Sequence, residues 1–297
     1  MSALYIANEY WVAVFQLTTA MFGMGATLTA RDFRDVVAEP WAVSVGTAVQ
    51  LVVIPLTTLF FIQAWNLAGG LAVGLALIAA IPGGTVSNIF TFLARGNSAM
   101  SICITAVTTL ACLATTPIIL GLLASSYLPA DFVMPKARIF SEIALTLLLP
   151  LLLGMAFLYL YPRSAPVVSR WAIRASLFGI LLIVLGSLSA GRIDFKAFGL
   201  QSVLLVVLFA AVLAIVGALV PRLLRINRAD AVAIEMEVVV RNMNLGVLIK
   251  ASLFPAAATE LAALGDTVLF TLLLFGGLQL AIGGLLIWRS GRHQAQR

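Results

Sequence analysis

Apolar residues cluster along this chain in long stretches, and short polar segments separate them. A helix that crosses a bilayer needs roughly 20 apolar residues at about 1.5 Å rise each. Nine stretches meet that length, at about 8–29, 41–64, 69–94, 98–123, 138–161, 171–190, 197–221, 229–253 and 263–289. We call them runs A to I. Trp11, Trp41, Trp65, Trp171 and Trp288 lie near run ends, where interfacial aromatic residues belong. The pattern predicts an all-α polytopic membrane protein with nine transmembrane helices in a single domain over residues 1–297. Composition agrees, with 62% hydrophobic and 10% charged residues and a mean hydropathy of +1.10.

Two runs depart from the apolar background. Run C carries Pro82-Gly83-Gly84-Thr85-Val86-Ser87-Asn88. Pro82 has no backbone N–H and the glycines resist ordering, so a regular helix breaks there. In lipid, the freed backbone groups must be buried in protein or line a polar cavity. Run H carries Glu235, Glu237, Arg241, Asn242 and Lys250. Ionised groups at such depth pair with one another or face a polar cavity. Glu237 and Arg241 are spaced i,i+4 with the acid first, which predicts a direct pair if the backbone is helical. Glu235 lies on another face of that helix and is a secondary candidate. Lys250, near the run's outer end, is expected to snorkel. Counted at helical rise, Asn88 and Glu237 sit at similar depth in runs that cross in opposite directions. Interrupted runs at matching positions in two halves are the sequence sign of a transporter site.

Charge sets the orientation. With the N-terminus outside, twelve arginines collect on one side: Arg31, Arg34, Arg95, Arg163, Arg170, Arg174, Arg222, Arg225, Arg228, Arg289, Arg292 and Arg297. Lys136, Arg138, Arg192 and Lys196 collect on the other. That bias places the C-terminus in the cytoplasm, for a multi-pass protein of the inner (plasma) membrane. The net charge of +6 is therefore spread over loop ends, which argues against nucleic acid as a partner. No cleavable signal peptide is expected. The only histidine is His293, and no Walker-type glycine-rich loop or H-E-x-x-H stretch occurs. Nucleotide-driven transport, a histidine-ligated metal and intramembrane proteolysis are thereby disfavoured, and no cofactor is expected. Cys103 and Cys112 read as small buried side chains.

If run C corresponds to run H, then A, B and D correspond to F, G and I, and run E has no counterpart. The fold is then an inverted repeat of five plus five helices lacking the first, with one repeat at about 8–123 and the other at about 138–289.

Several segments now resemble a known family. They are Met21-Phe-Gly-Met24-Gly, Gln50-Leu-Val-Val-Ile-Pro55, Ile81-Pro-Gly-Gly-Thr-Val-Ser-Asn88, Leu93-Ala-Arg-Gly-Asn97, and Glu237 with Arg241-Asn242. Their order and spacing are similar to those of the bile acid:sodium symporter family, over nearly the whole chain. Bacterial members commonly have ten helices; this chain looks like one lacking the first, and nine-helix members exist. The resemblance implies panel helices at about 8–29, 138–161 and 171–190, packed on a core of the others in which two broken helices cross. It implies one sodium site at Ser87, Asn88, Ser101, Thr105 and Glu237. It implies a second at Gln50, Glu237, Val238, Val240 and Arg241, where most members carry glutamine in place of Arg241. A guanidinium only donates hydrogen bonds and cannot ligate a cation. The expectation is a tethered cation in place of the second ion, paired with Glu237, and sodium coupling reduced or lost.

The function expected is secondary active transport of an organic anion, such as a bile acid or a smaller carboxylate, by alternating access. Helix N-termini favour anions, so the amides of Thr85 and Val86 are the expected carboxylate site, with Asn242 and Arg241 as further substrate contacts. A sodium-independent uniporter or channel-like facilitator is the alternative, kept open by Arg241, and a non-transporting receptor remains a third reading. The partners expected are the organic anion, sodium and the lipid bilayer.

Overall fold

A computed structural model of the protein describes residues 2–29, 40–129, 132–255 and 261–295. Arg31 and Arg34, counted in the charge bias, lie outside the described residues, as do the side chains of Arg292, His293 and Arg297. The described chain is helical. Its elements are α1 (Ser2–Gly25), α2 (Pro40–Ala64), α3 (Gly69–Ala80), α4 (Thr85–Leu93), α5 (Ser98–Leu123), α6 (Lys136–Leu160), α7 (Ala165–Ser189), α8 (Leu200–Leu223), α9 (Arg228–Val239), α10 (Met243–Leu253) and α11 (Ala262–Ala295).

Six of these, α2, α5, α6, α7, α8 and α11, are long and apolar enough to cross a membrane. The protein is thus a multi-pass membrane protein. The difference from nine runs has a local cause. Runs C and H each fold as two short helices, α3–α4 and α9–α10, and α1 is long but less apolar.

α1 packs most extensively on α7 and α6. Small residues allow the approach. A Cβ on Gly25 would lie 2.0 Å from the Leu151 carbonyl oxygen, and one on Gly154 would lie 2.3 Å from that of Phe22. α3, whose residues Gly70 to Ala80 are all buried, packs against α2, α5, α10 and α11.

The two breaks meet. Past α3, Ile81 is extended, and α4 starts at Thr85. Past α9, Val240 is extended, and α10 starts at Met243. Gly83 and Arg241 form an antiparallel bridge, and the Asn242 N–H donates to the Pro82 carbonyl at 2.8 Å. At their arginine-rich ends the broken pairs are joined again. The Asn97 N–H donates to the Ala229 carbonyl at 3.0 Å, and the Asn97 amide donates to Asp230 at 2.8 Å.

Candidate functional site

Pro82 leaves carbonyls at the end of α3 without helical partners, and buried carbonyls need donors. Four residues show where the donors come from. Arg241 Nε reaches the Ile78 oxygen at 3.3 Å, and Nη2 reaches that of Ala79 at 3.2 Å and also that of Ile81. The Thr116 hydroxyl takes the Ala80 oxygen at 2.7 Å. A buried guanidinium therefore sits on the carbonyl end of a half-helix, where the helix dipole favours a cation. Arg241 Nη1 also donates to Gln50 Oε1 at 3.0 Å.

Gln50 lies in a wide π-helical turn of α2, Val49–Val53, just ahead of Pro55. Proline there lacks an N–H and crowds the carbonyl four residues back, which a widened turn accommodates. The Gln50 oxygen accepts from the Gly83 N–H at 2.9 Å, and its nitrogen donates to Glu237 Oε2 at 3.2 Å. The expected direct pair between Glu237 and Arg241 does not form; Gln50 stands between them. The helical spacing that would bring them together ends where α9 stops at Val239.

Glu237, fully buried in the last turn of α9, gathers three hydroxyls. Its Oε1 lies 2.5 Å from Ser87 Oγ, 2.7 Å from Ser101 Oγ and 2.8 Å from Thr105 Oγ1. Ser87 comes from the first turn of α4, and Ser101 and Thr105 from one face of α5. Each hydroxyl has a second oxygen in reach. Ser87 is 2.5 Å from the Gly84 carbonyl; Ser101 and Thr105 are 2.8 and 3.1 Å from Asn88 Oδ1. Three hydroxyl protons thus face six oxygen–oxygen contacts, so the contacts outnumber the hydroxyl protons that could bridge them. An all-oxygen cluster with one carboxylate and a shortage of protons has the chemistry of a site for a hard cation. Gly83 is needed beside it, since a Cβ there would lie 2.1 Å from Glu237 Oε2.

The other expected residues are close by. Val238 and Val240 are completely buried on either side of the end of α9. Thr85 and Val86 open α4 with no side-chain cap, and Val86 is exposed. Asn242, by contrast, caps α10 itself, accepting from the Leu245 N–H at 3.3 Å. Cys103 and Cys112 are buried free thiols.

The sequence reading missed several groups. Gln279 of α11 accepts from the Arg241 N–H at 2.9 Å, clamping the second break, and Thr116 caps the first. A glutamine in an apolar run was the available sign. It also missed a second buried polar cluster at the opposite ends of the helices. Lys250 does not snorkel; it is fully buried and pairs with Glu9 of α1 at 2.7 Å. Glu9 pairs with Arg192 at 2.8 Å, and Arg192 with Asp266 of α11. Near it Ser252 of α10 donates to Glu142 of α6 at 2.6 Å. Glu235 pairs with Arg289, outside the Glu237 cluster.

Known proteins share sequence with this chain. Residues 14–192 match the family model of the sodium bile acid symporter family. An uncharacterized sodium-dependent transporter of Bacillus subtilis is 32% identical over 82% of this chain and 74% of its own length. A protein of Arabidopsis thaliana described as a probable sodium/metabolite cotransporter of the chloroplast is 31% identical over 86% of this chain and 63% of its own length. A sodium-dependent organic anion transporter of Bos taurus is 27% identical over 66% of this chain, which covers 51% of that relative.

Proposed function

The chain belongs to the sodium bile acid symporter family, a family of transporters, and from that premise we propose that it is a secondary transporter of an organic anion in which Arg241 replaces one of two coupling ions. One sodium ion binds at Ser87, Asn88, Ser101, Thr105 and Glu237. The observation that carries the reading is the Arg241 guanidinium, held by the carbonyls of Ile78, Ala79 and Ile81 and by Gln50. A charge placed there leaves no ligand set for a second cation among Gln50, Val238 and Val240. The relatives' names, a sodium-dependent organic anion transporter among them, support an anionic substrate and a requirement for sodium. The uncapped amides of Thr85 and Val86 take the substrate's carboxylate, with Asn242 beside them.

The chain crosses the membrane nine times, α3–α4 and α9–α10 each counting once, as an inverted repeat without its first helix. The N-terminus is outside and the C-terminus cytoplasmic in the plasma membrane. α1, α6 and α7 form a panel, and the other helices form the core that rocks against it. On this reading the cluster of Glu9, Arg192, Lys250 and Asp266 joins panel to core at the outer end and holds it shut.

The test is uptake of a bile acid and of smaller carboxylates into proteoliposomes, with sodium replaced by choline. Uptake by the wild type should need one sodium per substrate, and Arg241→Gln should raise the sodium requirement to two. Uptake unchanged in choline would overturn sodium coupling and leave a facilitator.

A further inference from the structure

The arginine-rich face of the molecule contains a cavity that the transport reading does not use. It measures about 400 Å³ and lies between the ends of α8, α9 and α11. Arg222 of α8, Arg228 of α9 and Arg289 of α11 line it, together with Glu235. Glu235 is buried, and Arg289 Nη2 lies 2.9 and 2.8 Å from its two oxygens. That pair fixes one guanidinium in the cavity wall and neutralises it. Arg222 and Arg228 are exposed and form no ion pair among the described residues. Asp230, two residues after Arg228, is already held by Asn97 and Asn227. The cavity therefore carries two uncompensated guanidinium groups, from separate helices, beside a third that is held in place.

We propose that this cavity binds the phosphate of an anionic phospholipid headgroup. Guanidinium groups match phosphate oxygens by paired hydrogen bonds. Basic pockets between membrane helices are suited to acidic headgroups. The surroundings select a lipid over a free anion. Leu219 lies one turn deeper than Arg222, and Leu285 one turn deeper than Arg289; both are exposed. They offer an apolar wall for an acyl chain below the charged cavity. Trp288, also exposed, marks the interfacial depth at which a headgroup resides. A bound headgroup rests against the Glu235–Arg289 pair, two residues before Glu237, and so fastens the end of the half-helix that carries the site carboxylate.

The experiment is native mass spectrometry of the full chain released from nanodiscs of phosphatidylcholine containing phosphatidylglycerol, supported by thermal stability in the same lipids. Wild type should retain phosphatidylglycerol over phosphatidylcholine. The double substitution Arg222→Gln/Arg228→Gln should weaken that retention about tenfold or more, at roughly one kcal/mol per arginine near a membrane surface. Arg225→Gln removes an exposed arginine of the same face that does not line the cavity, and should change nothing. Equal retention of the two lipids, or a double variant that behaves as wild type, would overturn the proposal. So would an equal loss in Arg225→Gln, which would mark general surface charge. Inorganic phosphate is the competing source: if it displaces the lipid at millimolar concentration, the site is one for a free anion and the lipid assignment fails.

Discussion

Glu237 and Glu9 are both buried carboxylates, and their surroundings are opposite. Glu9 is held by two cations, Lys250 and Arg192. Glu237 is held by three hydroxyls and an amide, all neutral, while the nearest cation is kept one glutamine away. A carboxylate already paired has little charge left to offer a mobile ion. The hydroxyls around a carboxylate held in this way bring no compensating charge, and they can turn their lone pairs toward a cation. The contrast separates a cluster that locks helices together from one that, on the proposed reading, exchanges its partner.

The strongest way to break this contrast is Arg241→Met. It removes every donor from the Ile78, Ala79 and Ile81 carbonyls and leaves Glu237 without a compensating charge nearby. The loss in stability should be about 3–5 kcal/mol, read as thermal unfolding in detergent; a loss below one kcal/mol would mean that water replaces the guanidinium. Next is Lys250→Met, expected to cost about 3 kcal/mol because it strands part of a buried charge. Adding Glu9→Gln should recover more than one kcal/mol of it, since the pair is coupled. Strict additivity would sink the claim that the cluster acts as a unit. Glu237→Gln keeps the shape and removes the charge. It should raise the sodium concentration for half-maximal uptake about tenfold or more, and equal sodium dependence would place the ion elsewhere. The mildest change, Thr116→Val, should cost about 1–2 kcal/mol by leaving the Ala80 oxygen without a donor, with sodium dependence untouched.

The broken runs were legible because proline, paired glycines and charged residues in apolar surroundings have few physical explanations. The oxygen cluster was legible through its resemblance to a family, while spacing alone placed Ser101 and Thr105 on a shared face. What could not be read was which side chain meets which across the two breaks. The i,i+4 spacing of Glu237 and Arg241 suggested contact, but the same break that made run H notable removed the helix that contact required. Lys250 looked like a surface residue because its partners, Glu9, Arg192 and Asp266, are scattered through the sequence. Long-range pairing of single charges leaves no local pattern. Glu9 in run A and Asp266 in run I, acids inside apolar runs, were the signs of it.

The placement of the site side chains has a consequence for how such proteins diversify. Those that touch the Glu237 carboxylate come from α2, α4 and α5, with none from α1, α6 or α7 among the described residues. A change in α1, α6 or α7 therefore leaves every one of those contacts intact. Some arginine and glutamine codons differ by a single base, so on the proposed reading one substitution at position 241 would change the ion requirement and leave these contacts in place.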